Sequence, residues 1–295
     1  MKKEVLLRSR LAYFQLGQAI EQYILVSDAL KLSESQYKDI KLNVKAGSKS
    51  RKDELMAHQE VLFRKQQLNQ AQADYEIALN NLSLITGISY DMQNTLKIDT
   101  QDTLYKQFAN YKNSEFWDSH PNIQSINEIS QSYMLASKAR MSNLGARITI
   151  TAKSSRDYPN GPTLEEFNQN IIGANVSFPL FESGNSRNAA KENKYLSKSF
   201  KEKKEQALKN LKNQWEKIKI QIDTLEDQKL LSAQAVKESK ELTNMTYNAY
   251  KAGAATFLEV QNANYRFLES KINLSQINFR LLSNLAYMAS MSKEE

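Results

Sequence analysis

The stretch Lys45-Ala46-Gly47-Ser48-Lys49-Ser50-Arg51-Lys52-Asp53 recurs 206 residues later as Lys251-Ala252-Gly253-Ala254-Ala255-Thr256-Phe257-Leu258-Glu259. Each copy has a glycine where a helix ends in a left-handed residue. Each then has Ser or Thr three residues before an acid, the capping box that starts the next helix. Ser50/Asp53 and Thr256/Glu259 fill those roles. Either motif alone describes a generic helical hairpin. Together they are an internal repeat, because the same offset also places Ala57 on Ala263, Leu62 on Leu268, Leu68 on Leu274 and Leu79 on Leu285.

The flanks of both turns are helical in period. Tyr23, Val26, Leu30, Ser33, Tyr37, Ile40 and Val44 step by three and four residues. So do Leu68, Ala71, Tyr75, Ala78, Leu82 and Ile85, and Leu208, Leu211, Trp215, Ile218, Ile222 and Leu225. Tyr265, Leu268, Ile272, Ser275, Phe279, Leu282 and Ala286 complete the set. A seven-residue repeat of this kind marks a coiled-coil seam. From Asn185 to Ala252 no Pro or Gly interrupts the chain, which predicts a helix of roughly 100 Å.

Composition narrows the options. With 8 Gly and 4 Pro in 295 residues, the chain lacks the turns of a Rossmann, TIM-barrel or sandwich fold. The absence of Cys removes disulfide scaffolds, thiolate metal sites and thiol catalysis. Mean hydropathy of −0.61 and the lack of a long apolar run argue against a transmembrane helix, but not against a transmembrane barrel, whose apolar residues alternate.

Between the repeats the period changes. Asp91–Glu115 is polar, with one short helix expected near Asp102–Lys112. Ser119-His120-Pro121 starts a helix that runs to about Leu144. Two alternating runs follow. Ile148 and Ile150 lie on one face and Arg147, Thr149 and Thr151 on the other; Ile172, Val176 and Phe178 then oppose Asn175 and Ser177. Tyr158-Pro159-Asn160-Gly161-Pro162 supplies the turn. One reading is a half-buried hairpin on the helices. The other is a membrane-spanning hairpin with the Ile/Val/Phe face in lipid, the Arg/Thr/Asn/Ser face on a water-filled lumen, and Tyr158, Phe167, Phe178 and Phe181 as an aromatic girdle. The second requires several copies to close a barrel.

Three features in fixed order resemble the TolC family of bacterial outer-membrane efflux channels. They are the twice-repeated tip, His120-Pro121-Asn122 opening a helix that leads to a strand, and Phe178-Pro179-Leu180-Phe181-Glu182-Ser183-Gly184, similar to the family's strand-to-helix junction. Leu79–Gly87 resembles the family's end-of-repeat segment. The resemblance implies a mainly α fold of long antiparallel coiled-coil hairpins in two repeats, with one β-hairpin contributed to a trimeric transmembrane barrel. It implies a homotrimer whose tips meet a periplasmic adaptor (membrane fusion protein) joined to an inner-membrane transporter, in the outer membrane with a helical tunnel in the periplasm. The expected adaptor contacts are Ala46, Gly47, Ser50, Arg51 and Asp53, and Ala252, Gly253, Thr256 and Glu259. The expected parts are residues 1–90 (first helical hairpin, tip near Gly47), 91–118 (connecting equatorial segment), 119–145 (helix leading to the strand), 146–181 (β-hairpin) and 182–295 (second helical hairpin, tip near Gly253).

The chain departs from the family pattern twice. It offers one strand pair where a protomer gives two, and it begins without a signal peptide, so an N-terminal truncation is expected. Leu242–Lys251 holds no acid, so a cation-binding gate is not carried over. His58 and His120 lack ligand spacing, and no nucleophile elbow, phosphate loop or carboxylate dyad is visible. No catalytic residue, metal or cofactor is therefore expected. The lysines from Lys191 to Lys219 alternate with Glu192, Glu202, Glu205 and Glu216, which favours a solvated face over nucleic-acid binding. The resulting expectation is a non-enzymatic, passive exit duct of a tripartite efflux or type I secretion system. Its rivals are a soluble coiled-coil scaffold, with Ile148 and Val176 buried on helices, and a basic rod binding nucleic acid or anionic surfaces through Lys201, Lys203 and Lys204.

Overall fold

A computed structural model describes residues 2–89, 101–109, 117, 119–158, 164, 166–181 and 183–291. The described residues form six helices and two strands in the order α1 (Lys2–Lys45), α2 (Arg51–Thr86), α3 (Gln101–Ala109), α4 (Pro121–Ser142), β1 (Arg147–Asp157), β2 (Phe167–Ser177), α5 (Asn185–Lys251) and α6 (Phe257–Met291). The chain divides into a unit of residues 1–116 with 213–295 and a unit of residues 117–212. The short helix expected near Asp102–Lys112 is α3; residues 110–112 lie outside the described residues.

The first unit contains two antiparallel helical pairs, α1 with α2 and the second part of α5 with α6, and α1 also packs on α6. Sevenfold spacing decides what is buried. Val26, Ser33 and Ile40 face inward on α1, and Trp215, Ile222 and Leu225 do so on α5. One core cluster joins Ala12 and Leu16 to Tyr75, Leu79 and Leu82. Toward its C-terminus α6 is buried almost all round, with Leu281, Leu282, Leu285, Ala286, Met288 and Ala289 all at 1 % exposure or less. Small residues at 286 and 289 let neighbouring helices approach on more than one side.

Two expected seam positions turn outward. Tyr265 and Ile85 are exposed. An α-helix drifts against a strict heptad, and on α6 the inward place passes to Asn264, whose amide Nδ2 donates to Gln36 Oε1 of α1 at 2.8 Å. The repeat is also asymmetric in burial: Leu268 is 7 % exposed but its counterpart Leu62 is 53 %. Helix α6 is covered by α1 as well as by α5, whereas α2 packs on α1 and only slightly on α6.

In the second unit α4 lies against the first part of α5. Ile123, Ser130 and Ser137, seven residues apart, are buried on α4 and meet Ala190 and Ser197 of α5. Small side chains bring the backbones close enough for Ser130 Oγ to donate to the Ser197 carbonyl (2.9 Å) and Ser137 Oγ to the Ala190 carbonyl (2.8 Å). Tyr133 and Phe200 stack along one side of this seam, ring centres 5.4 Å apart. Pro121 sits in the first turn of α4 and His120 caps it, accepting from the Asn122 amide at Nδ1.

Strands β1 and β2 pair antiparallel in one register from Arg147↔Ser177 to Asp157↔Phe167. The second strand is displaced from the alternating run read in the sequence. It begins at Phe167 and ends at Ser177, so Phe178 lies just beyond it. Pro179 lacks an amide to donate, which is consistent with pairing ending there. Ser183 (φ 50°) and Gly184 (φ 76°) then turn the chain into α5.

Candidate functional site

Both helical tips have the same hydrogen-bonded skeleton. At the first, the amides of Ala46, Gly47 and Ser48 donate to the carbonyls of Leu42, Val44 and Asn43; at the second, those of Ala252, Gly253 and Ala254 donate to Asn248, Tyr250 and Ala249. The bonds correspond one to one at the repeat offset. Gly47 (φ +74°) and Gly253 (φ +80°) hold the left-handed position that the pattern requires. Both capping boxes are formed. The Asp53 amide donates to Ser50 Oγ and the Ser50 amide to Asp53 Oδ2; the Glu259 amide donates to Thr256 Oγ1 and the Thr256 amide to Glu259 Oε2. These bonds favour the ionised Glu259 and hold its carboxyl below the ordinary range.

The two tips are tied together. Ile40 and Ala57 of the first hairpin cluster with Tyr250, Phe257 and Val260 of the second. Lys49 Nζ donates to the Tyr250 carbonyl at 2.6 Å and lies 4.1 Å from the centre of the Tyr250 ring. Tyr247 Oη donates to Asp39 Oδ2 at 2.9 Å. Burial first, then the hydrogen bond to Asp39, pushes the Tyr247 phenol well above its ordinary pKa; burial, with the charge of Asp53, pushes Tyr250 up to about 12. Ala46, Gly47, Ser50, Arg51, Ala252, Gly253, Thr256 and Glu259 remain exposed and Asp53 half-buried. A surface groove of about 630 Å³ runs between the tips, lined by Asp39, Asn43, Lys49, Lys251 and Gly253 among others. The ties through Asp39, Lys49, Tyr247 and Tyr250 were absent from the sequence reading. The only signal was that Tyr250 sits three residues before the tip glycine on the buried face.

The β-hairpin is exposed on both faces. Its register places Ile148, Ile150, Ala152, Ile172, Ala174 and Val176 on one face, and Arg147, Thr149, Thr151, Gly173, Asn175 and Ser177 on the other. Ile148 is 69 % exposed, Ile172 85 % and Val176 61 %. The soluble-scaffold reading required Ile148 and Val176 to be buried on helices, and they are not. Tyr158, Phe167, Phe178 and Phe181, placed at the two ends, are exposed as well. Lys153↔Ile171 puts one aliphatic side chain on the polar face, which the pattern had not suggested.

The remaining candidates resolve into structural parts. His58 packs on Tyr37, with ring centres 5.1 Å apart. Glu166 pairs with Arg156, and Glu165 lies outside the described residues. Lys203 covers the Phe200 ring at 4.4 Å and Lys204 donates to Asn127, so two of the three lysines of the nucleic-acid alternative have local roles. Among the described residues no cluster of three His, Cys, Asp or Glu could hold a metal ion, and no helix is long and apolar enough to cross a membrane.

Comparison with known proteins gives consistent results. The family model of the outer membrane efflux protein matches residues 123–291. No curated protein sequence matches the chain. The fold is similar to that of the outer membrane protein VceC from Vibrio cholerae, with a TM-score of 0.79 and 15 % identity over 98 % of this chain and 70 % of that one. It is similar to the MtrE outer membrane channel of Neisseria gonorrhoeae (TM-score 0.77, 15 % identity, 98 % and 66 % covered). The CmeC outer membrane channel of Campylobacter jejuni is a third (TM-score 0.73, 14 % identity, 99 % and 64 % covered). The chain thus spans about two thirds of the length of these structures.

Proposed function

The chain belongs to the family of outer membrane efflux proteins, and we propose that it acts as one protomer of a passive exit duct. Three protomers share a barrel in the outer membrane and a helical tunnel in the periplasm. The observation that supports this best is the β-hairpin. It carries an apolar face that none of the described residues covers, beside a mainly polar face of Arg, Thr, Lys, Asn, Ser and Gly with Ile171. Left in water, six aliphatic side chains on one face have no reason to be solvent-exposed; hydrocarbon removes that cost. Each strand has 11 residues, about 36 Å at ~3.3 Å per residue, which at a tilt near 45° spans a band of about 25 Å.

Within the duct, Ile148, Ile150, Ile172 and Val176 face lipid, with Phe178 at the boundary. Arg147, Thr149, Thr151, Asn175 and Ser177 face the lumen. The duct does no covalent chemistry. Energy comes from an inner-membrane transporter, reached through a periplasmic adaptor that binds Ala46, Gly47, Ser50, Arg51 and Asp53 at one tip and Ala252, Gly253, Thr256 and Glu259 at the other. The congruent skeletons of the tips present two similar surfaces per protomer, so one adaptor type suffices for both. Photo-cross-linkers at Ser50 and Thr256 are expected to capture the adaptor in cells. Equal capture from Lys65 or Lys237, far from the tips, would remove the tip assignment.

A further inference from the structure

The two ends of the β-hairpin differ in charge. At the far end, Arg156 is paired with Glu166, and Asp157 accepts from Ser155. At the foot, where β1 meets α4 and β2 leads to α5, the exposed side chains change in a fixed order. First come Phe178, Leu180 and Phe181, which are 61 %, 90 % and 87 % exposed. Then come cations: Lys138 in the last turns of α4, and Arg187, Lys191, Lys194 and Lys198 in the first turns of α5, all exposed. None of these five takes part in an ion pair among the described residues.

They lie on one side of the helix pair. Positions 187, 191, 194 and 198 are spaced by four, three and four, which is one face of a helix. Lys191, Lys194 and Lys198 line a groove of about 680 Å³ with Tyr195 and with Met134 of α4. Lys138 is one turn beyond Met134 on that same side. Tyr133 and Phe200 stack elsewhere on the seam. Acids join this groove only at its lower end, as Glu202 and Glu205. The upper end is lined by cations that are unpaired among the described residues, and the exposed Glu192 beside Lys191 is not part of the lining. At 1.5 Å per residue, Arg187 to Lys194 fall within ~14 Å of the start of α5, about the reach of a headgroup layer plus a lysine side chain.

We infer that Lys138, Arg187, Lys191 and Lys194 form a basic collar that binds the anionic headgroups of the leaflet beside the foot of the hairpin. This rests on the membrane reading of the hairpin given above and adds a lipid class to it. Apolar strand, aromatic foot and basic first turns follow the polarity order of a bilayer interface. Cations held near an anionic surface are attracted over about one Debye length, and a fixed ring of them sets the depth at which the hairpin sits. The groove supplies the rest of a headgroup site: an aromatic edge in Tyr195 and a thioether in Met134.

The test is flotation of the purified full chain with vesicles of phosphatidylcholine alone or with about 30 mol% phosphatidylglycerol, an anionic content that develops a surface potential of roughly tens of millivolts. The wild type is expected to partition about tenfold more strongly into the anionic vesicles, a conservative figure for four cations. The gain is expected to vanish in roughly 1 M salt, where the Debye length falls to about 3 Å. The variant Lys138→Gln, Arg187→Gln, Lys191→Gln, Lys194→Gln should lose the anionic preference and keep its binding to neutral vesicles. A control with the same charge change farther along α5 (Lys209→Gln, Lys217→Gln, Lys237→Gln, Lys240→Gln) should keep it. Equal binding to both vesicle types, or loss in the control to the same degree, overturns the collar and leaves the hairpin reading standing. Failure to bind either vesicle overturns the hairpin reading, and the collar with it. Displacement from anionic vesicles by inorganic phosphate at constant ionic strength would identify a small-anion site instead of a lipid contact.

Discussion

Replacing Tyr247 by Phe removes one hydroxyl and leaves the ring in place. That hydroxyl donates to Asp39 Oδ2 at 2.9 Å and links α5 to α1 near the tips. A hydrogen bond to a charged group is worth about 1.5–3 kcal/mol. Tyr247 and Asp39 are only half-buried, so the lower end applies, about 1–1.5 kcal/mol. The loss is local, because the Ile40, Ala57, Tyr250, Phe257 and Val260 cluster remains. The readout is therefore hydrogen–deuterium exchange of the tip amides, where about 1.4 kcal/mol appears as a tenfold faster opening. Asp39→Ala should have a similar effect. The double variant should open no faster than either single one, a coupling of about 1 kcal/mol. Additive effects, or exchange that accelerates equally in the middle of α5, would refute the view that this bond closes the tip.

Three other outcomes follow from the same structure. Gly47→Ala and Gly253→Ala should each cost about 1–2 kcal/mol by thermal unfolding, because the left-handed φ alone is strained and a new Cβ meets nothing within 4 Å at either site. Congruent turns make the two costs equal; a twofold difference would show that the tips are not equivalent. Ser130→Val should destabilise the α4–α5 seam by about 1–3 kcal/mol through overpacking, and Ser130→Ala by less, about 1 kcal/mol from the lost bond to the Ser197 carbonyl; the reverse order in urea unfolding would contradict close helix approach there. Tyr250 ionises at about 12, above the ordinary value of 10. Its contribution to folding is thus present in full below pH 10 and is lost as pH rises through 12. Tyr247 and Tyr75 are raised as well, so absorbance titration should show several late phenols, of which Tyr250→Phe removes one; an unchanged late amplitude in that variant would contradict the burial of Tyr250 at the tip.

Much of this architecture is local in origin and was legible for that reason. Glycine at Gly47 and Gly253, the acids Asp53 and Glu259, and Pro121 act through their own backbone neighbourhood, so their roles can be read without knowing what packs nearby. The alternation from Arg147 to Thr151 is similarly decided by a period of two. What escaped the sequence depends on partners far along the chain. Leu62 and Leu268 are equivalent by repeat, yet one is exposed and the other buried, because α6 packs on α1 in addition to its hairpin partner α5, whereas α2 packs on α1 and only slightly on α6. A strict heptad predicts Tyr265 inward, and the drift of a real helix gives that place to Asn264. The ties from Lys49 to Tyr250 and from Tyr247 to Asp39 join residues about 200 positions apart. The start of β2 was also hidden. Phe167–Ile171 lacks an apolar alternation, and its pairing follows from the register that β1 imposes.

The central claim is that one face of the hairpin meets lipid and the other meets water. The sequence has no Cys, so single cysteines report without background. Cysteines placed in turn at residues 147 to 151 and 172 to 177, in the assembled protein in cells, would be labelled with a membrane-impermeant thiol reagent. The account predicts alternation. Positions 147, 149, 151, 175 and 177 should react, and positions 148, 150, 172 and 176 should be protected from that reagent but quenched by a lipid-borne probe. Uniform labelling along both strands would mean that the apolar face is in water, and the duct reading would be contradicted.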